Sequence, residues 1–180
     1  MSRLVTCFLL LLWVVTPACA RQDFQVVALT DGLEHPWGMA FLPDGDVLVT
    51  ERPGRLRIVR NGRLLPEPVS GLPMIEAYGQ GGLLDVVLHP DYEKNGWIYL
   101  SYAGSDDNGM GTEVGRARLK GNSLVDWQTL FRLLPKSGTG YHFGSRLAFD
   151  REGYLYITAV SYTHLRAHET VLVIAYAVFC

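Results

Sequence analysis

Cysteine is scarce in this sequence, and its placement excludes a fold that depends on internal disulfides. The chain has three cysteines among 180 residues. Cys7 and Cys19 lie within the first twenty residues, which resemble an export signal. Once that segment is removed, Cys180 has no intramolecular partner. We therefore expect an exported protein that contains no internal disulfide.

An excess of charge of one sign is also lacking. The 16 basic and 18 acidic residues give a formal net charge of −2, and no run of five basic residues occurs. Nucleic-acid binding normally needs such basic patches, so we exclude it. The apolar run at residues 4–15 is shorter than the roughly 20 residues that a membrane-spanning helix needs. We therefore expect no membrane span in the mature protein.

The first twenty residues contain the features of a signal peptide in their usual order. Arg3 is followed by an apolar core, and the segment ends in the small residues ACA. This pattern predicts a periplasmic or secreted protein that is cleaved after Ala20. A lipoprotein would instead carry its lipid on Cys19, but the sequence TPAC lacks the usual leucine three positions earlier.

Sustained helical periodicity is missing after residue 20, and three similar β-type segments are present instead. Each has a short apolar strand, a polar turn with glycine and a second apolar strand. Aligning Phe41, Leu88 and Phe149 spaces them 47 and 61 residues apart, which is typical of β-propeller blades. The segments are WGMAFLPDGDVLVTE (37–51), GLLDVVLHPDYEKNGWIYLSYA (82–103) and GSRLAFDREGYLYIT (144–158).

The intervening residues predict two further hairpins. Residues 55–65 place Asn61 and Gly62 at a turn, because both tolerate positive φ. Residues 112–125 form the second hairpin, with its turn at 120–122.

Two details of these strands are also predicted. Leu56, Ile58 and Leu64 alternate with polar residues, so we expect all three to face a neighbouring sheet. We expect the inserted residues GSDDNGMG to form an extra loop.

The repeat count indicates an incomplete ring. A blade takes about 40–50 residues, so residues 21–158 supply about three blades, whereas closed propellers have roughly four to eight. The sequence therefore predicts an all-β fold, a partial β-propeller that is the front portion of a larger protein.

The C-terminal stretch departs from the repeat. Glycine and proline are absent after Gly153, and SYTHLRAHET resembles translated adapter sequence at the end of an assembled gene fragment. We interpret residues 159–180 as a non-native tail; the alternative is a genuine helix or strand. His164 and His168 lack a third ligand or an HExxH context, so they predict no metal site.

Two side chains in glycine-rich loops are candidates for chemistry. His142 lies in TGYHFGSRLAFD, just before an apolar strand. Gln80 lies in YGQGGLLD, where glycines permit close approach to a flat ligand and the amide both donates and accepts hydrogen bonds. From the residues alone, either one could equally be an ordinary exposed or structural loop residue.

Long motifs run in order through about residues 26–158. They are GLEHPWGMAFLPDGDVLVTERPGRLRIV, GQGGLLDVVLHPDYEKNGWIYLSYA and HFGSRLAFDREGYLYIT. These motifs resemble the soluble aldose sugar dehydrogenases of the glucose/sorbosone dehydrogenase family, which depend on pyrroloquinoline quinone (PQQ). The resemblance implies a six-bladed, periplasmic propeller that uses PQQ and calcium.

The resemblance also implies roles for both candidates. His142 would be the general base that takes the proton from the anomeric hydroxyl of an aldose sugar, while hydride passes to PQQ and a lactone forms. Gln80 would contact PQQ and the substrate. The calcium ligands and the cationic partners of PQQ are expected in later blades, so no metal ligand is assigned here and the 180-residue chain alone is expected to be inactive. The sugar and the electron acceptor are left open.

Other polar residues are interpreted as structural. Arg146 could pair with a cofactor carboxylate, but a structural role is favoured. Tyr141 stands where better-known relatives carry a polar residue, which leaves the sugar preference open. Residues 35–37 predict a strand entry, 89–91 a turn, and 106–108 a solvated loop without EF-hand spacing.

Two other functions remain as alternatives. A non-catalytic extracellular β-propeller binding module would lack the cationic PQQ cradle in its later blades. A lactonase-type hydrolase would need metal ligands converging on the axis, and none stands out. His142 together with Gln80 favours the dehydrogenase.

Overall fold

A computed structural model describes residues 24–160 and the backbone of one further strand at 173–178. The predicted signal peptide and residues 161–172 lie outside the described part. Within it, three antiparallel sheets follow one another, and the helix α1 (Tyr92–Asn95) has only four residues. No helix among the described residues has the length and hydropathy to cross a membrane.

Each sheet is built from strands that are close in sequence. The first sheet contains β1 (Pro36–Phe41), β2 (Val47–Glu51), β3 (Arg55–Arg60) and β4 (Arg63–Leu64). The second contains β5 (Leu83–Leu88), β6 (Trp97–Asp106), β7 (Gly109–Lys120) and β8 (Ser123–Arg132). The third contains β9 (Gly144–Phe149), β10 (Leu155–Val160) and β11 (Val173–Val178), with β10 in the middle.

The predicted repeat corresponds to these sheets. Phe41, Leu88 and Phe149 each end the first strand of a sheet. Strand β1 contacts β5, and β5 contacts β9, so the first strands stand side by side as the inner strands of blades do. The prediction of an all-β partial propeller with about three blades is confirmed.

Alternation along β6 explains how one sheet joins two neighbours. Ile98 and Leu100 pack into the core shared with the first sheet, where Leu56 and Ile58 are buried. Tyr99, on the opposite face, packs into the core shared with the third sheet. Because successive side chains of a strand point to opposite faces, both faces of the middle sheet are apolar and buried.

The two predicted hairpins are present, but two details of the predictions are wrong. Leu64 does not share the face of Ile58; it pairs with Val59 and packs with that residue on the other side of the sheet. Directly opposite residues of an antiparallel pair share a face, so Leu64 follows Val59. The segment GSDDNGMG is not a separate loop, because β6 and β7 continue through it to the pair Asp106–Gly109.

The second hairpin is also longer than predicted. Strands β7 and β8 extend beyond residues 112–125 in both directions, and the turn is confirmed because Lys120 pairs with Ser123.

Each first strand carries a two-against-one bulge at the same place. Two residues of the first strand oppose a single hydroxyl residue of the second strand: Thr50 in the first sheet, Ser101 in the second and Thr158 in the third. The hydroxyl accepts a hydrogen bond from the N–H of the second bulge residue at 2.9 Å in every sheet. A bulge leaves backbone groups unpaired, and in each sheet the hydroxyl pairs with one of them.

The same hydroxyls connect neighbouring sheets. Thr50 Oγ1 donates to the carbonyl oxygen of Leu84, in the bulge of the second sheet. Ser101 Oγ donates to the carbonyl oxygen of Ser145, in the bulge of the third sheet, at 2.6 Å. Thr50 and Ser101 therefore each connect the bulge of their own sheet to the bulge of the next sheet.

The predicted tail is described only in part. Strand β10 continues through Val160, and the backbone of β11 pairs with it in antiparallel register. The interpretation of residues 159–180 as non-native stays a prediction.

Candidate active site

An open cleft lies where the chain enters the second and third sheets. Its volume is about 470 Å³, which falls within the range of small-molecule sites. The loops before β5 and β9 form its walls, and the bulges of the first two sheets contribute Trp37 and Leu84. The lining residues are Trp37, Arg52, Gly79, Gln80, Leu84, His142, Phe143 and Gly144.

The structure brings both candidate residues together in this cleft. The backbone N–H of His142 donates to Gln80 Oε1 at 2.9 Å, although 62 residues separate the two in sequence. The backbone N–H of Gln80 donates to the carbonyl oxygen of Gly140 at 2.9 Å. Because the His142 N–H is a donor, the Gln80 atom facing it must be the oxygen. The Nε2 end of that amide is then a donor that can serve a ligand.

The backbone of the histidine loop has an unusual conformation. His142 has φ of 58°, in the left-handed region that non-glycine residues seldom adopt. Gly79 packs so closely against the same loop that a Cβ there would lie 2.4 Å from Gly140 O. Conformations of this kind persist where the surroundings impose them and cluster at functional sites.

Arg52 is a residue of this cleft that the sequence analysis did not identify. It follows β2 directly, and its Nη1 donates to the carbonyl oxygens of Gly79 at 2.9 Å and Gly81 at 3.2 Å. These two carbonyls flank Gln80. The signal in the sequence is a cation placed immediately after a fully buried strand, but the sequence does not indicate which loop it meets.

Arg146 forms an ion pair next to the cleft. Its Nη1 lies 3.0 Å from Asp85 Oδ1, and its guanidinium stands 4.7 Å from the centroid of the Trp37 ring. The side chain of Asp85 is 2% exposed, and its Oδ2 accepts the Leu147 N–H at 2.8 Å. Arg146 thus links the third sheet to the other two, in agreement with the structural role favoured from the sequence.

Asp85, like Arg52, was not identified from the sequence as a candidate residue. Burial raises its pKa above the usual value, and this effect exceeds the opposing effects of the Leu147 N–H and of Arg146. A single carboxylate inside the apolar strand LLDVVL was the available signal. Its partners could not be read from the sequence, because they belong to a strand about sixty residues later.

The remaining polar residues occupy the predicted kinds of position. Trp37 packs between sheets with Leu84 and Phe143 and also forms part of the cleft wall. His89 Nδ1 accepts the Asp91 N–H at 2.9 Å in a turn, and burial lowers the pKa of His89. The His89 contact supports the predicted turn, and the packing of Trp37 supports its structural role, but the position of Trp37 in the cleft wall was not predicted.

Tyr141 lies exposed beside His142. Tyr141 is 56% exposed, and its ring centroid lies 6.4 Å from that of His142; its effect on sugar preference stays a prediction.

Residues 106–108 are exposed, and Asp106 Oδ1 accepts the Asn108 N–H in a tight turn. Within the described part of the chain, no group of three or more His, Cys, Asp and Glu residues is arranged to hold a metal ion.

Most of the chain matches a known protein family at the level of sequence. The family model for Glucose / Sorbosone dehydrogenase matches residues 33–169, and so extends past residue 158. The aldose sugar dehydrogenase YliI of Escherichia coli is 49% identical over 142 residues, which cover 77% of this chain and 38% of that protein. The human Hedgehog-interacting protein is 27% identical over 151 residues, which cover 74% of this chain and 22% of that protein.

Solved structures give the same assignment. The soluble aldose sugar dehydrogenase of Escherichia coli in its apo-form has a TM-score of 0.70 at 49% identity, over 74% of this chain and 40% of that one. The PQQ-bound aldose sugar dehydrogenase of Streptomyces coelicolor has a TM-score of 0.64 at 30% identity, with 74% and 40% covered. The chain thus spans less than half of the length of these relatives. It belongs to the glucose/sorbosone dehydrogenase family.

Proposed function

We propose that the protein oxidises the anomeric hydroxyl of aldose sugars, with His142 as the general base and Gln80 as a cofactor-binding residue. The observation that carries this proposal is the hydrogen bond from the His142 N–H to Gln80 Oε1 inside one cleft. This hydrogen bond joins two loops far apart in sequence at one cleft, which supports a shared role for the two residues. Membership of a family of sugar dehydrogenases supports the substrate class.

In the proposed reaction, a ring nitrogen of His142 takes the proton from the hydroxyl on the anomeric carbon. The hydrogen of that carbon leaves with its electron pair, and the carbon–oxygen bond becomes the carbonyl of a lactone. Removing the hydroxyl proton prevents positive charge from building up on the carbon as the hydride departs. A well-placed base of this kind contributes roughly 10²–10⁴-fold to the rate.

The electron pair needs an acceptor, and the cleft suits PQQ in size and in polar groups. Gln80 Nε2 would donate to one of its oxygens, and Gly79 provides a wall without a side chain. When bound, PQQ would supply a two-electron acceptor. The PQQ-bound structure of a Streptomyces coelicolor relative supports this choice. For calcium, the described residues provide no ligand set, and we derive no step from it.

The experiment uses a chimaera in which residues 33–158 replace the matching segment of the Escherichia coli aldose sugar dehydrogenase. Purified chimaera is supplied with PQQ and calcium, and sugar-dependent dye reduction is followed. His142→Asn should lower kcat by roughly 10²–10⁴-fold, because asparagine tolerates the left-handed backbone but cannot act as the base.

His35→Asn is the matched control for this substitution. His35 also has a left-handed backbone, with φ of 48°, but it does not line the cleft. It should therefore retain turnover close to that of the unsubstituted chimaera. Equal turnover in the two variants would contradict the role of His142. Clear turnover by the 180-residue chain alone would contradict the expectation that later blades are required.

The binding-module alternative is supported by one comparison, the similarity to the human Hedgehog-interacting protein. The later blades of the chimaera come from the Escherichia coli enzyme, so the chimaera tests only whether residues 33–158 can serve in a dehydrogenase. A folded chimaera that neither binds PQQ nor reduces the dye with any aldose would favour a non-catalytic propeller.

Export to the periplasm or the medium is part of the same proposal. The proposed cleavage after Ala20 predicts a mature protein that begins at Arg21. Mass spectrometry of protein recovered from the periplasm measures this end directly, and an intact leader or a lipid on Cys19 would contradict it.

A further inference from the structure

Arg52 contacts both ends of the short segment 79–83, which leads into β5. Its Nη1 donates to the carbonyl oxygens of Gly79 and Gly81, on either side of Gln80. Its own carbonyl oxygen accepts the Leu83 N–H at 3.1 Å. Gly82 lies between these contacts with φ of 147°, and a Cβ there would lie 1.9 Å from Arg52 O. Side chain and backbone of one residue thus hold the whole segment 79–83.

The position of Arg52 is itself set by the first sheet. It directly follows the buried strand β2, and its N–H donates to the carbonyl oxygen of His35 at 3.0 Å. The guanidinium therefore extends from a rigid element to a loop. Hydrogen bonds from a charged donor are about twice as strong as neutral ones, so this contact can order a glycine-rich segment.

The direction of the two carbonyls determines where Gln80 points. Because the carbonyls of Gly79 and Gly81 face Arg52, the Gln80 peptide is held so that its N–H donates to Gly140 O. The Gln80 side chain then accepts the N–H of His142 at 2.9 Å. A continuous series of hydrogen bonds thus runs from the first sheet, through the entry loop of the second, to the entry loop of the third.

We infer that Arg52 is a positioning residue: it holds Gln80, and through Gln80 it fixes the loop that presents His142. This inference rests on the proposed function for its consequence in catalysis, but the ordering of the two loops can be measured separately. Arg52 acts on the backbone around Gln80, whereas Gln80 and His142 act on the ligand.

The first test measures amide hydrogen exchange in the full chain. Arg52→Met removes both hydrogen bonds of the guanidinium, which are stronger than neutral hydrogen bonds because the donor is charged. We expect the N–H groups of Gln80 and His142 to exchange at least roughly tenfold faster, while amides in β6 and β7 keep their rates. Arg52→Lys should restore part of the protection, because an ammonium has three donors.

Arg63→Met is the matched control, since Arg63 is exposed on β4 and lies outside the cleft. It should leave every rate unchanged. Unchanged protection in Arg52→Met would overturn the inference. Uniformly faster exchange across the whole chain would also overturn it, because Arg52 would then serve general stability.

The second test uses the chimaera and requires no exchange data, so a chain that folds poorly does not prevent it. Arg52→Met should lower kcat at least roughly tenfold, while the pH profile of the remaining turnover keeps the position seen without the substitution. In His142→Asn, by contrast, the part of the profile that depends on the imidazole should be lost.

The two proposals can fail separately. Local loosening of Gln80 and His142 in a protein that oxidises no sugar would leave the positioning role intact and reject the proposed function. Normal kcat in Arg52→Met of an active chimaera would reject the positioning role alone.

Discussion

Thr50 provides the most direct test of how the sheets are joined. Its side chain is fully buried, accepts the Gly38 N–H at 2.9 Å and donates to the carbonyl oxygen of Leu84. Thr50→Val keeps the shape of the side chain but leaves these two backbone groups of the bulges without their partner. An unsatisfied buried group costs about 1–3 kcal/mol. We therefore expect the free energy of unfolding to fall by about 2–4 kcal/mol.

Thr50→Ser is the matched control, because it keeps the hydroxyl and removes one methyl group. It should cost about 1 kcal/mol through lost apolar burial. Urea unfolding followed by tryptophan fluorescence measures both variants, and Trp37, beside Gly38, reports on the affected bulge. The slope against urea should stay constant while the midpoint falls. A Thr50→Val midpoint equal to or above that of Thr50→Ser would refute the role of the hydroxyl.

Further predictions concern stability at alkaline pH and the close packing of Gly82 against Arg52. Burial and the Glu113 carboxylate raise the pKa of Tyr102 to about 12. The unfolded chain therefore loses the Tyr102 proton at a lower pH than the folded chain does. The contribution of this group to the free energy of unfolding is fully present below pH 10 and should fall by roughly 3 kcal/mol as the pH rises through 12. Tyr102→Phe should abolish that fall in urea titrations, and an identical pH dependence would contradict the assignment. Gly82→Ala should destabilise the chain by about 2–4 kcal/mol, because its Cβ would overlap Arg52 O. Gly121→Ala, which has positive φ but open space around it, should cost only about 1–2 kcal/mol in the same assay.

The bulges explain why the cleft lies where it does. In the first two sheets, Trp37 and Leu84 are the first bulge residues, and both line the cleft. A bulge bends the strand and redirects its side chains, so the strand can present an apolar wall beside the entry loops. The hydroxyls of Thr50 and Ser101 each accept one backbone N–H of these bulges.

Much of the local architecture could be predicted because it depends on short-range patterns. The alternation of apolar residues predicted the first two strands of each sheet, and Asn61 with Gly62 predicted a tight turn. The same patterns left Leu64 on the wrong face. The face of a strand depends on its pairing register, and a two-residue strand has too few residues to define that register by alternation.

The candidate site could be predicted only as separate pieces. His142 and Gln80 were identified because each lies in a glycine-rich loop and within a motif that resembles the family. Arg52 and Asp85 were not identified, because their partners lie 27 to 62 residues away along the chain. A single sequence without recognisable spacing between such residues does not indicate which of them meet.

The sequence by itself determined the repeat, the turns and the strand-forming segments, since these depend on residues that are close along the chain. Only the tertiary structure decided that the loops before β5 and β9 face each other, and that Arg52 of the first sheet holds one of them. The physical reason is that the cleft is formed by the side-by-side packing of the first strands. That packing is a property of the assembled sheets and of no single segment.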